Sequence, residues 1–496
     1  MIIKKQVLFI IICSFFFSAI SGASPSEITK KAYREQFLSP NLQKNYYKIM
    51  MQTVRFFDRQ QSMVNMLIES FRGSSTYSYD MFTHAFCYGK EGVLDAQSFT
   101  YDGAVATLSY LMSGQSNKAE HLLRVYRKEF YYVKVDAIGL FNSYRTDTPE
   151  NRYGGLTPGI DGDRTHLGPT MWVAIAALQY TAVTGDLKYL SLAIDMATWA
   201  RQLNHFTFPD GEKGGVCMGF GWGPDWSQIY STENNVDYYA VLSMLKEIYL
   251  CGDEKVRMIY DNKNLTPQLL DKEMSGLDRW FKDVVYDPSK KSFQCGYNEH
   301  GVDPTAALDT VSWMIAALGP QKLDDMGINP FLMMNYAEKN FRVFNRIDEK
   351  KVEGFDFTNP AGRRSPVRVI WIEGTGFQTV TYQLMSRYAQ KLGLEKKAEE
   401  YRQKAEKYSD EMEKISQGVH LIEHALPYTA KCPGEKEIIT TFNEEWEIPR
   451  GNRGQWVASS SSTAWRLFAL MGFNPLALDE ENVNYQFFNR PHNRAN

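Results

Sequence analysis

The sequence predicts an all-α chain closed into a toroid of six helical hairpins, an (α/α)₆ barrel with long rim loops and a few short β-hairpins. Three observations predict it. A small or acidic polar cluster followed by an apolar helical stretch returns six times. Amphipathic stretches with charged faces alternate with these apolar ones. The longest loops fall just before the apolar stretches.

The apolar stretches begin at Tyr101-Asp102-Gly103-Ala104, Gly168-Pro169-Thr170-Met171-Trp172, Glu233-Asn234-Asn235-Val236-Asp237, Leu308-Asp309-Thr310, Glu373-Gly374-Thr375 and within Ser459–Ser462. They end at Ser113-Gly114, Gly185, Cys251-Gly252, Gly319-Pro320, Leu392-Gly393 and Met471-Gly472, since glycine and proline stop helices. Pro169 fits the first turn, where its missing N–H costs nothing. Charged, amphipathic helices are expected at 115–131, 187–204, 266–284, 329–344 and 394–415. In the last, Ala398, Tyr401, Ala405, Tyr408 and Met412 fall near helical spacing, with Lys and Glu between them. The stretch 41–72 supplies a sixth and closes the outer ring. A helix apolar on nearly all sides is buried, and one with a charged face lies outside. Inner and outer rings follow.

The excess length sits in loops at 133–167, 205–234, 286–307, 345–371 and 416–458. Loops this long inside a compact domain are usually functional. Because they precede inner helices, they are expected on one rim, with a short hairpin around Ser292-Phe293-Gln294. No linker rich in Pro, Gly or Ser divides the chain, so 24–496 reads as one barrel domain.

Residues 1–23 read as a secretory signal peptide. Lys4 and Lys5 precede the apolar run Val7–Ile20, and Ser21-Gly22-Ala23 supplies small residues for cleavage after Ala23. Export to the periplasm or the extracellular space is expected, with no stable membrane span after cleavage. Five cysteines remain beyond this segment (Cys87, Cys217, Cys251, Cys295 and Cys432), widely spaced and without a C-x-x-C pair. Neither a disulfide framework nor a zinc site is indicated. No metal and no cofactor is expected. The formal charge of −3 is spread over interspersed acids and bases, so nucleic acid, which requires a basic face, is not an expected partner. P-loop, dinucleotide and Gly-x-Ser-x-Gly fingerprints are missing.

Inner helices that start at one rim point their N-termini at one cavity. Asp102, Glu233, Asp237, Asp309 and Glu373 would gather there. Each alone could be a helix cap or dipole partner, but capping does not require acids. Aromatic content is 14%, with 10 Trp; much of it is expected in the core, with a surplus of Trp and Tyr in the pre-helix loops. Trp222 and Trp226 precede Glu233; Trp371 precedes Glu373; Trp446 and Trp456 flank Arg450 and Arg453; Tyr144, Arg145, Arg152 and Tyr153 precede Trp172. Aromatic faces stack on sugar rings, and Arg hydrogen-bonds hydroxyls. Tyr153, Trp172, Trp222, Trp226, Trp371, Arg450 and Trp456 are therefore candidate binding residues for an oligo- or polysaccharide.

The segments Tyr101-Asp102-Gly103-Ala104, Ser231-Thr232-Glu233-Asn234-Asn235-Val236-Asp237, Leu308-Asp309-Thr310-Val311-Ser312-Trp313, Trp371-Ile372-Glu373-Gly374-Thr375 and Ser462-Thr463-Ala464-Trp465 resemble those of six-hairpin glycosidase-like proteins. The resemblance covers most of the chain and is specific for fold rather than substrate. It implies cleavage of carbohydrate, or lyase or epimerase chemistry, at the barrel mouth. An inverting glycosidase needs two carboxyl groups about 6.5–9.5 Å apart, one protonated and one ionised. The expected pair is Glu233 as acid and Glu373 as base, with Asp237 supporting or binding sugar and Asp102 and Asp309 in reserve. A lyase acting on a uronic acid would draw on His166 or His424 and on Arg152, Arg450 and Arg453. A 2-epimerase would need paired His, and no such pair is visible. A glycan-binding or surface-assembly protein would keep the aromatics without opposed carboxylates.

Overall fold

The computed structural model describes residues 33–478, apart from 74–79, 83–90, 94–95, 133–138, 151–154, 160–163, 222–225, 348, 359–367, 431–437, 441–444 and 448–455. The signal-peptide segment, Tyr153, Trp222 and Arg450, like Arg152 and Arg453, lie outside the described residues.

Twelve helices form the two rings. The outer helices are α1 (Pro40–Gln60), α3 (Ser116–Tyr132), α5 (Leu190–Gln202), α8 (Pro267–Trp280), α11 (Pro330–Asn340) and α13 (Glu395–Val419). The inner ones are α2 (Thr100–Met112), α4 (Leu167–Thr184), α6 (Thr232–Cys251), α9 (Asp309–Leu318), α12 (Ile372–Lys391) and α14 (Ser460–Met471). Two short helices, α7 (Glu254–Asn262) and α10 (Pro320–Asp325), lie between ring members and had no counterpart in the sequence reading. Each inner helix packs on the next, α2 on α4, α4 on α6, α6 on α9, α9 on α12, α12 on α14, and α14 returns to α2. The inner ring is closed. Helix α1 packs mainly on α14, so the first outer helix completes the last hairpin. Along α4 every residue from Leu167 to Ala182 is buried, whereas α13 buries one stripe through Ala398, Tyr401, Ala405, Tyr408 and Met412. That contrast is the inner–outer difference expected from apolar and amphipathic sequence. Among the described residues no helix is long and apolar enough to cross a membrane.

Two outer helices stop short of their expected ends. The helix expected over 329–344 ends at Asn340, and 342–347 pairs with 350–355 as an antiparallel hairpin. Val343 and Ile347 are buried between exposed Arg342, Phe344 and Arg346, a period of two that suits a strand. The helix expected over 41–72 ends at Gln60. Residues 71–73 instead pair with 457–459. The π-helical turn Phe281–Val285 carries the expected 266–284 helix to its end, and 286–287 with 292–293 forms the expected hairpin.

The rim loops are linked in a circle. The segment before each inner helix makes a ladder or bridge with the segment before the next: 97–99 with 143–145, 164–166 with 219–221, 230–231 with 296–298, Ala307 with Thr358, Trp371 with Thr429, and 457–459 with 71–73. One hydrogen bond recurs at every junction. The N–H groups of Thr100, Leu167, Thr232, Leu308, Ile372 and Ser460 donate to the carbonyls of Asn142, Met218, Cys295, Phe357, Tyr428 and Ser70, at 2.7–3.1 Å. Each helix start thus satisfies an orphan donor on its neighbour's loop, and all six starts lie at one rim.

Candidate active site

The recurring hydrogen bond supplies a common frame for the six inner helices. One residue beyond the anchoring N–H stand Tyr101, Gly168, Glu233, Asp309, Glu373 and Ser461. Five residues beyond it stand Val105, Trp172, Asp237, Trp313, Phe377 and Trp465. Positions four apart share a helix face, so the two sets form an upper, polar layer and a lower, largely aromatic one.

The lower layer closes the barrel axis. Trp172 lies 5.3 Å from Trp313 and 6.1 Å from Trp465, ring centre to ring centre. Trp313 lies 6.3 Å from Trp465 and 5.5 Å from Phe377. Tyr101 leans down from the upper layer to 5.0 Å from Trp172 and 6.2 Å from Trp313. Helices α4, α9 and α14 are not neighbours in the ring, so their side chains can meet only at its axis. Trp172 and Trp465 are each 1% exposed. Glycines allow the close approach: a Cβ at Gly168 would lie 2.4 Å from Asn234 Oδ1, and one at Gly376 would lie 2.7 Å from Trp465 Cβ.

Above this floor the acids occupy consecutive helices. Glu233 on α6, Asp309 on α9 and Glu373 on α12 hold the same upper-layer position, with Asp237 below them and Asp102 beside Tyr101. None of the five is an N-cap residue. Those places belong to Phe99, Ser231, Leu308 and Trp371. Glu373 is buried, and burial pushes its carboxyl up to about 8; the nearby Asp102 and Asp309 charges add to the effect, while hydrogen bonds from Tyr101 and Ser461 oppose it. Burial likewise raises Asp102 to about 7 against hydrogen bonds from Ser70 and Ser461. Asp237 is raised well above the usual range, by burial first and then by the Asp309 charge. These carboxyls therefore favour the proton near neutral pH. Glu233 differs in being partly exposed.

Glu233 and Asp309 line a cavity of about 80 Å³, with Asp303, Tyr230, Tyr297, Asn298, Phe357 and Cys295 also in its wall. Glu373, Asp102 and Asp237 stand outside that wall. Tyr428 connects the groups: its buried hydroxyl feels the charges of Glu373, Asp102 and Glu233. Among the described residues no group of three or more His, Cys, Asp or Glu could hold a metal ion.

The candidate binding aromatics are distributed unevenly. Trp172 is part of the floor. Trp371 is buried against Phe357 and Phe377 at 4.8 and 5.2 Å. Trp226 is buried edge-on to His166 at 4.8 Å, and His166 Nδ1 lies 3.4 Å from Asn234 Nδ2. Trp456 is half-buried against the core. Tyr101, Trp313, Trp465, Tyr428, Asp303 and Tyr297 were not singled out as site residues in the sequence. The first three stand inside the motifs already quoted, and the recurrence of an aromatic early in the inner helices was the signal that would have found them.

No family model and no curated protein matches the sequence. Solved structures do match. Cellobiose 2-epimerase from Bacillus thermoamylovorans is 14% identical, with 86% of this chain and 98% of that chain covered and a TM-score of 0.50. A glycosidase in complex with glucose is 9% identical, with 89% and 100% covered and a TM-score of 0.51. With the closed inner ring and its paired outer helices, these likenesses establish that the chain has an (α/α)₆ toroid fold.

Proposed function

We propose that this protein is an exported glycoside hydrolase that works with Glu373 as general acid and Glu233 as general base. The observation that carries the reading is the unequal environment of two glutamates at one level of one ring. Glu373 is buried and raised to about 8, so it holds a proton at neutral pH and can give it to a glycosidic oxygen. Glu233 is partly exposed in the wall of the open cavity, where it can accept a proton from an attacking water. A buried carboxyl that holds its proton and a partly exposed one at the same level are the environments that acid–base cleavage of a glycoside draws on. Burial thus favours roles opposite to those expected from sequence. Asp309 lies between the two helices that carry the pair, and its charge helps keep Glu373 protonated. Asp303, Tyr230, Tyr297 and Asn298 would face sugar hydroxyls. The charged, apolar and small-residue run within 1–23 supports export, and 24–496 would act as one domain.

The test is a screen of the purified chain against neutral and acidic polysaccharides and disaccharides. New reducing ends support hydrolysis. Products absorbing in the ultraviolet would replace the reading with a lyase, and a C2-inverted sugar of unchanged length would replace it with an epimerase. Glycan binding without turnover would leave a binding protein.

A further inference from the structure

Glu373 accepts a hydrogen bond that reaches it from a second inner helix, and the link behind that bond has a fixed direction. Trp465 Nε1 lies 2.6 Å from the Tyr101 hydroxyl, and that hydroxyl lies 2.5 Å from Glu373 Oε1. An indole N–H can only donate. The Tyr101 oxygen therefore accepts from Trp465, and its single proton points to Glu373 Oε1. Helices α14, α2 and α12 are joined in one directed chain. An oxygen that accepts the tyrosine proton cannot also present an acid proton along that line. When Glu373 is protonated, the proton is left to Oε2.

We propose that Tyr101, itself oriented by Trp465, is a positioning residue that selects Oε2 of Glu373 as the oxygen that carries and delivers the acid proton. The assignment of Glu373 as acid rests on the function proposed above; the hydrogen-bond direction does not. The other groups facing this carboxyl are Asp102 on α2, Asp309 on α9, Ser461 on α14 and Tyr428 from the rim. Ser461 can donate or accept, so it follows the protonation state rather than setting it. Of the acidic and phenolic neighbours, Asp102 also feels Tyr101, so the Glu373 band is the one followed.

Tyr101→Phe tests the proposal, because the ring and its packing on Trp172 and Trp313 are kept while the hydroxyl is lost. The protonated-carboxyl stretch of Glu373 is assigned by infrared difference against Glu373→Gln in the full chain, without substrate. Losing a donor that favours the charged form should raise the titration midpoint of that band by about one pH unit. It should also move the C=O stretch to higher wavenumber, as a carbonyl relieved of a hydrogen bond. Trp465→Phe should shift both in the same direction by less. On any substrate found, the alkaline limb of kcat should move up in Tyr101→Phe. A purely packing role would change melting temperature and leave the band and its midpoint in place; that result in a folded variant overturns the proposal. A shifted band in a protein that turns over no glycan would remove the hydrolase reading and leave the hydrogen-bond assignment intact.

Discussion

Helices α12 and α13 form one hairpin, and each carries a glutamate near its start. Glu373 stands in the first turn of α12 and is raised to about 8. Glu399 stands in the second turn of α13 and is lowered to about 2. Both lie near a helix N-terminus, where the dipole favours negative charge by only about 0.3–1 kcal/mol. The dipole therefore does not separate them. Their surroundings do. Glu399 is about half exposed, accepts from Arg402 Nε and Nη2 at 2.7 Å each, and takes a third bond from Gln403. Glu373 is buried under the rim among other acids, with a tyrosine and a serine as hydrogen-bond donors. One residue type in one hairpin is thus shifted in opposite directions, down beside a surface cation on the outer ring and up by burial on the inner one.

The sharpest way to break this comparison is to neutralise each glutamate. Glu373→Gln and Glu233→Gln should each lower kcat by about 10²–10⁴-fold, the usual weight of a general acid or base, while Glu399→Gln should change it by less than about twofold. Assay of the three variants side by side decides the matter. Full activity in both Glu373→Gln and Glu233→Gln would remove the paired-carboxylate reading altogether.

Stability against pH gives the next largest effect. Because the folded-state value of Glu373 lies above the ordinary 4.5, the native state holds more protons than the unfolded chain between about 4.5 and 8. Stability from this group is complete below 4.5 and is lost as pH rises through 8, with a slope of up to about 1.4 kcal/mol per pH unit. Asp102 acts in the same direction between about 3.8 and 7. Melting temperature should fall across this window in the native protein. Glu373→Gln should flatten the fall most around pH 8, beyond the Asp102 midpoint of about 7, and so be the more heat-stable protein at pH 9. An unchanged profile would mean that Glu373 is ionised in the fold.

Both rings were legible because inner and outer helices differ in composition along their whole length. The wholly apolar α4 and the striped α13 cannot exchange places without burying charge. The upper-layer acids were legible as residues that open inner helices. The lower layer was not, because an indole in a packed floor and one stacked on a sugar are identical in sequence. Trp172 and Trp465 show this: each stands in a site motif, and each is buried against other aromatics. The roles proposed for Glu233 and Glu373 were illegible for a related reason. Proton affinity follows burial and neighbouring charge, and Tyr101, Asp102 and Asp309 reach Glu373 from helices far away in the chain. The hairpin at 342–355 was missed because its first strand continues the charged run of α11 without a glycine or proline to mark the change.

The smallest effect is expected at the surface ion pair of Glu399. Glu399 and Arg402 make a two-pronged contact, and an acid lowered to about 2 might be read as a large source of stability. That inference fails because half the Glu399 side chain is in water, where screening and the entropy of holding two long side chains offset the attraction. Exposed pairs of this kind contribute about 0–1 kcal/mol, so Glu399→Gln should cost at most that in chemical denaturation. The remainder should vanish as salt is raised and the Debye length falls to about 3 Å at 1 M. The same salt should leave the infrared titration of Glu373 in place, since its carboxyl is shifted by loss of solvent rather than by a surface cation. If 1 M salt moved both glutamates alike, the contrast between the two helices would be one of surface electrostatics, and the buried acid would lose its claim to hold a proton at neutral pH.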